Sequence, residues 1–357
     1  MRVDAIEKQL PRPVETLSSK NKRHKGRQPT SILTINGRVT LSRIWWHSPI
    51  EGSSAPLDLF IRADGATTTP GVREMACRVN NHSSSFTHAA ENLQRTAQVT
   101  LCDESLRQIV LKEGPRVQAD QRSGRLVPSF TAEDCRIDSA YKEFKLLAFY
   151  DESNRHKHLI LSRARRPEVG RLLKQIAGHL KFADCEEKIA NVDGAVWIPG
   201  QIEAGGLDVD GLGLDFYHLS EHVHAAKRAV FGESSVVGDQ LVSTRLHEFK
   251  HSGYDATVAS LSEWKSPLRG GRRKAATKLL NYVTDRRGMI QYPEFIAESW
   301  QIGSGPTESG CRTSTRRLKV SGARWDMINA ESVASLVNLQ DSNQWHQHWP
   351  NLRPVTT

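Results

Sequence analysis

Two aspartates, Asp193 and Asp215, each end a short apolar run that is followed by a helical pattern. The runs, residues 188 to 192 and 212 to 214, are typical of strands buried in a sheet. In an open α/β sheet, polar side chains just past the carboxyl ends of neighbouring strands converge on one crevice, where ligands bind. We therefore expect Asp193 and Asp215 to face the same solvent pocket and to make it acidic.

The helix predicted after Asp215 carries the pattern His-x-x-Glu-His, formed by His218, Glu221 and His222. Histidines four residues apart lie on one helical face and can hold zinc, with the glutamate as general base of an inverted zinc-protease motif. Five residues are a weak pattern, and no third ligand is marked downstream. We favour the alternative, in which the histidines cap or pack a helix beside the acidic pocket.

The composition limits the class of protein. The chain has 357 residues, which suggests about two domains. No apolar run approaches the ~18 residues of a membrane helix and the start has no signal-peptide core, so we expect a soluble, cytoplasmic protein. The cysteines form no Cys-x-x-Cys pair, so neither a disulfide framework nor a zinc ribbon is indicated.

The basic residues are clustered, and the formal net charge is +9. The clusters span residues 20 to 27, 163 to 166, 269 to 278 and 312 to 319. Separated basic patches suit a long polyanion such as DNA better than a small ligand. Each cluster taken alone is equally well explained as a solvated face, but together they favour nucleic acid.

The amino-terminal part of the chain predicts a basic arm, a β-hairpin and several helices. Residues 1 to 29 are polar and basic, as in a flexible arm, and residues 31 to 46 alternate as in a hairpin that turns at Asn36-Gly37. Helical patterns follow at 72 to 79, 86 to 96 and 103 to 112. The last two fit a helix-turn-helix that offers Arg95 and Arg107 to DNA, although an ordinary helical hairpin is commoner.

The rest of the chain predicts a sheet surrounded by helices. A second hairpin, over 141 to 151 and 158 to 162, and a helix over 168 to 180 lead to the central strand at 188 to 192. From 218 to 292 the patterns are mostly helical, and the helix over 272 to 284 has a basic side. A Gly-rich turn then opens a helix with Glu308 in its first turn, where an acid also complements the helix dipole.

Four segments occur in an order that resembles a known family. They are Asn-Val-Asp-Gly-Ala-x-Trp-Ile from Asn191, Leu-Asp-Phe-Tyr-His-x-x-Glu-His from Leu214, Arg-x-x-Met-Ile-x-Tyr-Pro-Glu-Phe from Arg286 and Ile-Gly-Ser-Gly-Pro-Thr-Glu-Ser-x-Cys from Ile302. Together they resemble the ISKra-type insertion-sequence transposases of bacteria, which are Mutator-like enzymes of ribonuclease-H fold. Asn36-Gly-Arg-Val-Thr-Leu and Pro70-Gly-Val-Arg-Glu extend the likeness into the amino-terminal region.

The resemblance implies a DNA transposase of a mobile element that binds terminal inverted repeats as a homo-oligomer, in the bacterial cytoplasm at the nucleoid. It implies a DDE carboxylate triad that binds two Mg²⁺ or Mn²⁺ ions for DNA strand cleavage and transfer. By motif, Asp193 is the second carboxylate and Glu308 the third, and both are expected metal ligands. Asp215 and His218 match an Asp-x-x-His element that supports the site, and His222 is a weaker match.

The DNA contacts that we expect come from the two helical patterns of the amino-terminal region and from two of the basic clusters. They are Arg95, Arg107, Arg272, Arg273, Lys274, Arg312, Arg316, Arg317 and Lys319.

The chain departs from the family around Asp138. Family members carry a strand with an Asp-Gly-Val-x-Val-Pro motif there, whereas only Ile137 to Ala140 join the flanking segments in this chain. We therefore expect the ribonuclease-H-like core to lack its first central strand and its first catalytic aspartate, which leaves this copy impaired. Asp138 is the nearest carboxylate in the sequence.

These interpretations predict an α/β fold in four parts. They are a basic arm over residues 1 to 29, a mixed β-hairpin and helical DNA-binding region over 30 to 138, a ribonuclease-H-like core over 139 to 349 with a helical insertion over about 225 to 300, and a tail over 350 to 357. Two alternatives to an active transposase stay open. One is a non-catalytic DNA-binding remnant that occupies the element ends, and the other is a chain that does not fold stably, because a sheet without its central strand exposes unpaired edges.

Overall fold

A computed structural model describes residues 23–50, 52–55, 57, 67–126, 134–141, 144–151, 153 and 156–350, with the backbone alone for residues 134–141 and Arg166. The chain divides into two compact units, Met1–Pro115 with Trp349–Thr357, and Arg116–His348. We call them the amino-terminal and carboxy-terminal units. The sequence predicts a boundary at residue 138, whereas the structure divides the chain earlier, after Pro115. The strand that contains residue 138 pairs within the sheet of the carboxy-terminal unit, so residue 138 belongs to that unit.

The amino-terminal unit begins with a three-stranded antiparallel sheet of β1 (Arg23–Thr34), β2 (Gly37–Ser48) and β3 (Gly52–Ser54). The predicted hairpin is confirmed, with its turn one residue earlier, because Thr34 pairs with Gly37. Gly37 has φ +102°, which a residue without a Cβ adopts readily. Residues 23–29 of the predicted arm belong to β1, and residues 1–22 lie outside the described residues.

Among the described residues, the helices α1 (Pro70–Asn81), α2 (Phe86–Ala97) and α3 (Asp103–Arg122) follow. The Ser85 hydroxyl caps α2 by accepting a hydrogen bond from the His88 N–H at 2.9 Å. Helix α3 continues well past the predicted end at residue 112. All three predicted helices are therefore confirmed in type, and the third is wrong in length.

The carboxy-terminal unit contains a five-stranded sheet in the order β6-β5-β4-β7-β8. Strand β4 is antiparallel to β5, and β4, β7 and β8 run parallel. The strands are β4 (Asp134–Tyr141), β5 (Lys145–Tyr150), β6 (Lys157–Ser162), β7 (Glu187–Val192) and β8 (Gly211–Leu214).

The central position of β4 corrects the expectation that the sheet lacks a central strand. The short segment around Asp138 still supplies enough backbone to pair with β5 on one side and β7 on the other. Pairing on both sides satisfies the amide and carbonyl groups that a missing strand leaves exposed. The alternative of a chain that cannot fold for want of this strand therefore loses its physical basis.

The sheet is covered on both faces. Leu147 and Phe149 of β5 lie in one apolar cluster with Ala190 and Val192 of β7, and the alternate residues Leu146, Ala148 and Tyr150 lie in a second cluster. Burial on both faces explains why β5 is a continuous apolar run. The helices of this unit are α4 (Arg166–His179), α5 (Ile198–Ala204), α6 (Phe216–Phe231), α7 (Val236–His251), α8 (Gly253–Lys265), α9 (Gly270–Thr284), α10 (Tyr292–Ala297), α11 (Gly305–Arg316), α12 (Met327–Asp341) and α13 (Trp345–His348).

The mostly helical character predicted for residues 218 to 292 is confirmed by α6 to α10. Across the described part of the chain, none of the helices combines the length and apolar character needed to span a membrane.

Candidate metal centre and adjoining basic cleft

Asp215 lies directly after β8 and is the N-cap of α6. Its Oδ1 accepts hydrogen bonds from the backbone N–H groups of Tyr217 at 2.6 Å and His218 at 3.1 Å. Its Oδ2 accepts a hydrogen bond from the Ser304 N–H at 2.9 Å. The side chain is fully buried, and these three bonds replace the water that the carboxylate loses. Each carboxylate oxygen has two acceptor positions, so Oδ2 can take one more partner.

Residues 301–304 are held against the ends of β7 and β8 by backbone and side-chain hydrogen bonds. The bonds run from Ser304 N–H to Asp215 Oδ2 at 2.9 Å, from Phe216 N–H to Ile302 O at 2.9 Å and from Asn191 Nδ2 to Gln301 O at 3.1 Å. Helix α11 begins immediately afterwards, where Glu308 N–H donates to Ser304 O at 2.9 Å. This attachment brings Glu308 to the sheet edge that Asp215 occupies.

Asp215, His218 and Glu308 each offer one potential ligand atom, and these atoms lie within 4.8 Å of one another. Asp215 is buried, His218 is half-buried and Glu308 is exposed, so the group opens to solvent on the Glu308 side. We call these three residues the acidic group. Two carboxylates and one imidazole fit a single divalent cation, and the imidazole extends the choice from Mg²⁺ toward Mn²⁺, Fe²⁺ and Zn²⁺.

The structure brings together only part of the predicted metal site. Glu308 lies in the acidic group, where it joins Asp215 and His218, which we expected to support the site. Asp193 follows β7, and its Oδ1 accepts a hydrogen bond from the Ala195 N–H at 3.0 Å. Among the described residues, Asp193 is not one of the side chains that form this group.

His222 has different surroundings from His218, although the two lie one turn apart on α6. The His222 ring stacks on Tyr282 with centroids 3.6 Å apart. Burial, and then the positive charges of Arg286 and other neighbours, lower the pKa of His222. The acidic group of the described residues includes His218 and not His222, so His222 is not one of the ligands of this candidate site.

A cleft of about 650 Å³ opens beside His222, against one face of α9 and the turn that follows. Its charged and polar lining is mainly basic, and Asp285 is the one acid among the described residues that line it. We call it the basic cleft, and its remaining lining residues are Gly270, Arg273, Lys274, Thr277, Lys278, Asn281, Tyr282 and Arg286.

The predicted DNA-binding residues have different environments. Arg273 and Lys274 line the basic cleft. Arg107 is bound to Glu104, with Nε 2.7 Å from Oε2. Arg317 is buried with its guanidinium over Trp325, so its side chain is not part of the exposed basic surface that the sequence predicts. The residues of the set that are exposed on helices or turns are Arg95, Arg272, Arg312, Arg316 and Lys319.

The sequence interpretation missed the contribution of Tyr282 and Arg286 to the cleft and included Lys278 only in the basic cluster of residues 269 to 278. Together with Lys274 they recur at every fourth residue, which places them along one face of a helix. That spacing is the signal that identifies them.

No protein-family model matches the chain, and no curated protein matches it in sequence. The fold and the site define an α/β protein with a candidate divalent-cation site at the ends of parallel strands. The functional inference depends on that site and on the basic cleft beside it.

Proposed function

We propose that the chain is a metal-dependent enzyme that cuts DNA phosphodiester bonds, a transposase of the Mutator-like type that its motifs resemble. The acidic group carries the proposal, because it unites Glu308 with Asp215 and His218 at the edge where β7 and β8 end. A divalent cation bound there supplies a Lewis acid for a phosphate oxygen and lowers the pKa of a bound water.

The sheet supports a ribonuclease-H-like core for this enzyme. Three antiparallel strands are followed by two strands parallel to the central one, in the order β6-β5-β4-β7-β8, as in that fold. Asp138 lies in the middle of β4 and is in register with Asn191 of β7. Asp138 is therefore our candidate for the first carboxylate, and Asp193, just past β7, remains the candidate for the second.

The residues of the acidic group have separate tasks in this proposal. The buried Asp215 holds the start of α6 and residues 301–304 in place, and the remaining acceptor position of its Oδ2 would be a ligand for the cation. His218 provides a nitrogen ligand. Glu308 is exposed, so its carboxylate can bind the cation and also accept a proton from an attacking water.

A nicking assay tests the proposed function. The full chain is incubated with Mn²⁺ and DNA from both flanks of its own gene, because Mn²⁺ tolerates imperfect ligand geometry better than Mg²⁺. We expect nicking by the wild type, loss of nicking in Glu308→Ala and Asp193→Ala, and unchanged nicking in Glu294→Ala. Glu294 is a matched control because it is also an exposed first-turn glutamate that follows a proline at a helix start.

Nicking that survives Glu308→Ala overturns the proposal. The second candidate function, a non-catalytic DNA-binding protein, is favoured by the three backbone hydrogen bonds of Asp215, which already give that carboxylate a complete structural role. A shifted DNA band without nicking by the wild type supports this second candidate.

A further inference from the structure

The start of α9 carries three adjacent cations, one of which, Arg273, donates from NH1 to the Ser266 carbonyl oxygen at 3.2 Å. Arg272, Arg273 and Lys274 lie among its first five residues, and its first turn contains no acid. The N-terminus of a helix already has partial positive charge from its unpaired N–H groups, so cations there repel it. The N-cap residue Arg269 makes no side-chain capping bond. A bound anion offsets this repulsion and accepts hydrogen bonds from the unpaired N–H groups.

The basic cleft is large enough to hold such an anion beside several cations. Its volume of about 650 Å³ lies within the ~300–1,000 Å³ range of small-ligand sites. Lys274 and Lys278 are exposed at its rim. Within the described part of the chain neither lysine forms an ion pair. Both ammonium groups are therefore available to a ligand.

The aromatic ring in the wall of the cleft, that of Tyr282, has no free face on which a nucleic-acid base could stack. The His222 ring stacks on Tyr282 at a centroid distance of 3.6 Å, and the Arg286 guanidinium carbon lies 3.8 Å from the same centroid. Two groups this close to one centroid must occupy opposite faces of the ring. Neither face of Tyr282 is left to stack on a base, which is the usual device for holding unpaired bases.

Arg286 links the cleft to the end of β7. Its Nε donates to the Gly194 carbonyl oxygen at 2.7 Å, and its NH1 donates to the Tyr282 carbonyl oxygen at 2.9 Å. Gly194 follows Asp193 directly, and His222 lies one turn after His218 on α6. Two segments therefore connect the cleft with the ends of β7 and β8: Arg286 bonds the turn that follows Asp193, and His222 lies on the same helix as His218 of the acidic group.

We propose that the basic cleft binds the phosphates of a nucleic-acid strand without regard to base sequence and leads that strand to the acidic group. The destination of the strand depends on the proposed function, whereas phosphate binding in the cleft does not. Lys274, Lys278 and the start of α9 bind phosphate, and Tyr282 and Arg286 position the wall of the cleft.

Fluorescence anisotropy of the full chain tests this proposal. EDTA is present so that cation bridging at the acidic group makes no contribution, and the probes are labelled single strands of about 20 nucleotides with two unrelated sequences. We expect the double variant Lys274→Gln, Lys278→Gln to bind both strands about tenfold more weakly. The slope of log affinity against log salt should fall by about 1.4, because each single-strand phosphate contact contributes about 0.7.

The matched control is Arg171→Gln with Lys174→Gln, which removes two exposed cations from α4, away from the cleft lining. This variant should bind within about twofold of the wild type, since isolated surface charges contribute little. Equal loss in the two double variants overturns the proposal, as does a loss confined to one of the two sequences.

A competition experiment separates a nucleic-acid strand from a free polyphosphate. Unlabelled strand should displace the probe at a lower concentration than tripolyphosphate, and the opposite order overturns the assignment to nucleic acid. Failure of the proposed function has a different signature. In that case Glu308→Ala leaves nicking unchanged, while the cleft variant still loses strand binding.

Discussion

The acidic group and the basic cleft lie one turn apart on α6, but their charges are satisfied in opposite ways. The buried carboxylate of Asp215 accepts three backbone N–H bonds, so the fold itself stabilises that charge. In the cleft, several cations lie at the positively charged N-terminal end of α9, and Lys274 and Lys278 are exposed to solvent. The difference indicates that Asp215 contributes to folding, whereas Lys274 and Lys278 of the cleft form no ion pair within the described residues.

The largest effect that we expect is the loss of cation binding in Glu308→Gln. Glu308 is exposed, so its substitution removes a ligand from the acidic group and leaves the core intact. Changes in the outer shell of a metal site already cost 10- to 100-fold in affinity, so we expect Mn²⁺ affinity to fall by more than about 100-fold. Isothermal titration with Mn²⁺ measures this loss, and strand binding at the cleft should remain unchanged.

The matched substitution Glu294→Gln also removes an exposed first-turn glutamate. Its Mn²⁺ affinity should equal that of the wild type. If the two variants lose Mn²⁺ affinity equally, the cation is attracted by general surface charge and the distinction between the two regions fails.

A second prediction sets the pH range in which the two regions can be compared on folded protein. His158 is buried, and its Nδ1 lies 3.1 Å from Gln344 Oε1. Burial lowers the pKa of His158 from 6.5 to about 4. The fold thus favours the neutral ring, and its contribution is complete above about pH 6.5 and is lost as the pH falls toward 4, by at most about 3 kcal/mol.

The measurement is the free energy of unfolding in urea at several pH values, for the wild type and for His158→Gln. The variant lacks the titrating ring, so its stability should fall less steeply between pH 6.5 and 4. Parallel pH profiles for the two proteins would show that His158 is not the source of the acid sensitivity.

A third prediction tests whether the Asp215 side chain contributes to the stability of the fold. In Asp215→Asn, the amide oxygen can still cap α6, but the amide nitrogen then faces the Ser304 N–H, which currently donates to Oδ2 at 2.9 Å. Two donors cannot bond, and an unsatisfied buried group costs about 1–3 kcal/mol. The unfolding free energy of the variant should fall by that amount even without metal.

Asp326→Asn is the control for this substitution, because Asp326 caps α12 from an exposed position. Water can satisfy the new amide there, and Asn and Asp are nearly equal as N-caps, so we expect a change of only a few tenths of a kcal/mol. Equal losses at Asp215 and Asp326 would contradict the view that burial makes Asp215 structural.

Local sequence patterns predict most of the helices and strands, but they do not predict which site residues lie close together in the fold. Alternation and turn chemistry identified the hairpin near Gly37, and the apolar runs identified β7 and β8 with their terminal aspartates. The bond between Asp215 and Ser304 joins residues 89 positions apart, and no local pattern contains that information. Only the family resemblance placed Glu308 in the same site.

The predictions for β4 and Arg317 failed because they depend on contacts between distant parts of the chain. Strand β4 was expected to be missing because the family's Asp-Gly-Val-x-Val-Pro segment is absent there, but the residues that remain pair with β5 and β7 and form a strand. Arg317 belongs to a basic cluster in the sequence, but packing against Trp325 buries it. Charge runs predict a basic surface, whereas tertiary packing decides which cations reach it.

The smallest effect that we predict concerns Gly194, which lies between the two regions. Gly194 has φ +81°, and a Cβ there would meet Leu214 Cδ1 at 2.5 Å and Tyr282 Oη at 2.8 Å. Gly194→Ala should therefore cost about 1–2 kcal/mol of unfolding free energy and weaken strand binding, because Tyr282 must move. Gly206→Ala has a similar positive φ of +65° with open space around it, so it should lose stability through the backbone alone and keep strand affinity. If Gly194→Ala also keeps full strand affinity, the turn after β7 does not position the cleft, and the two regions are independent of each other.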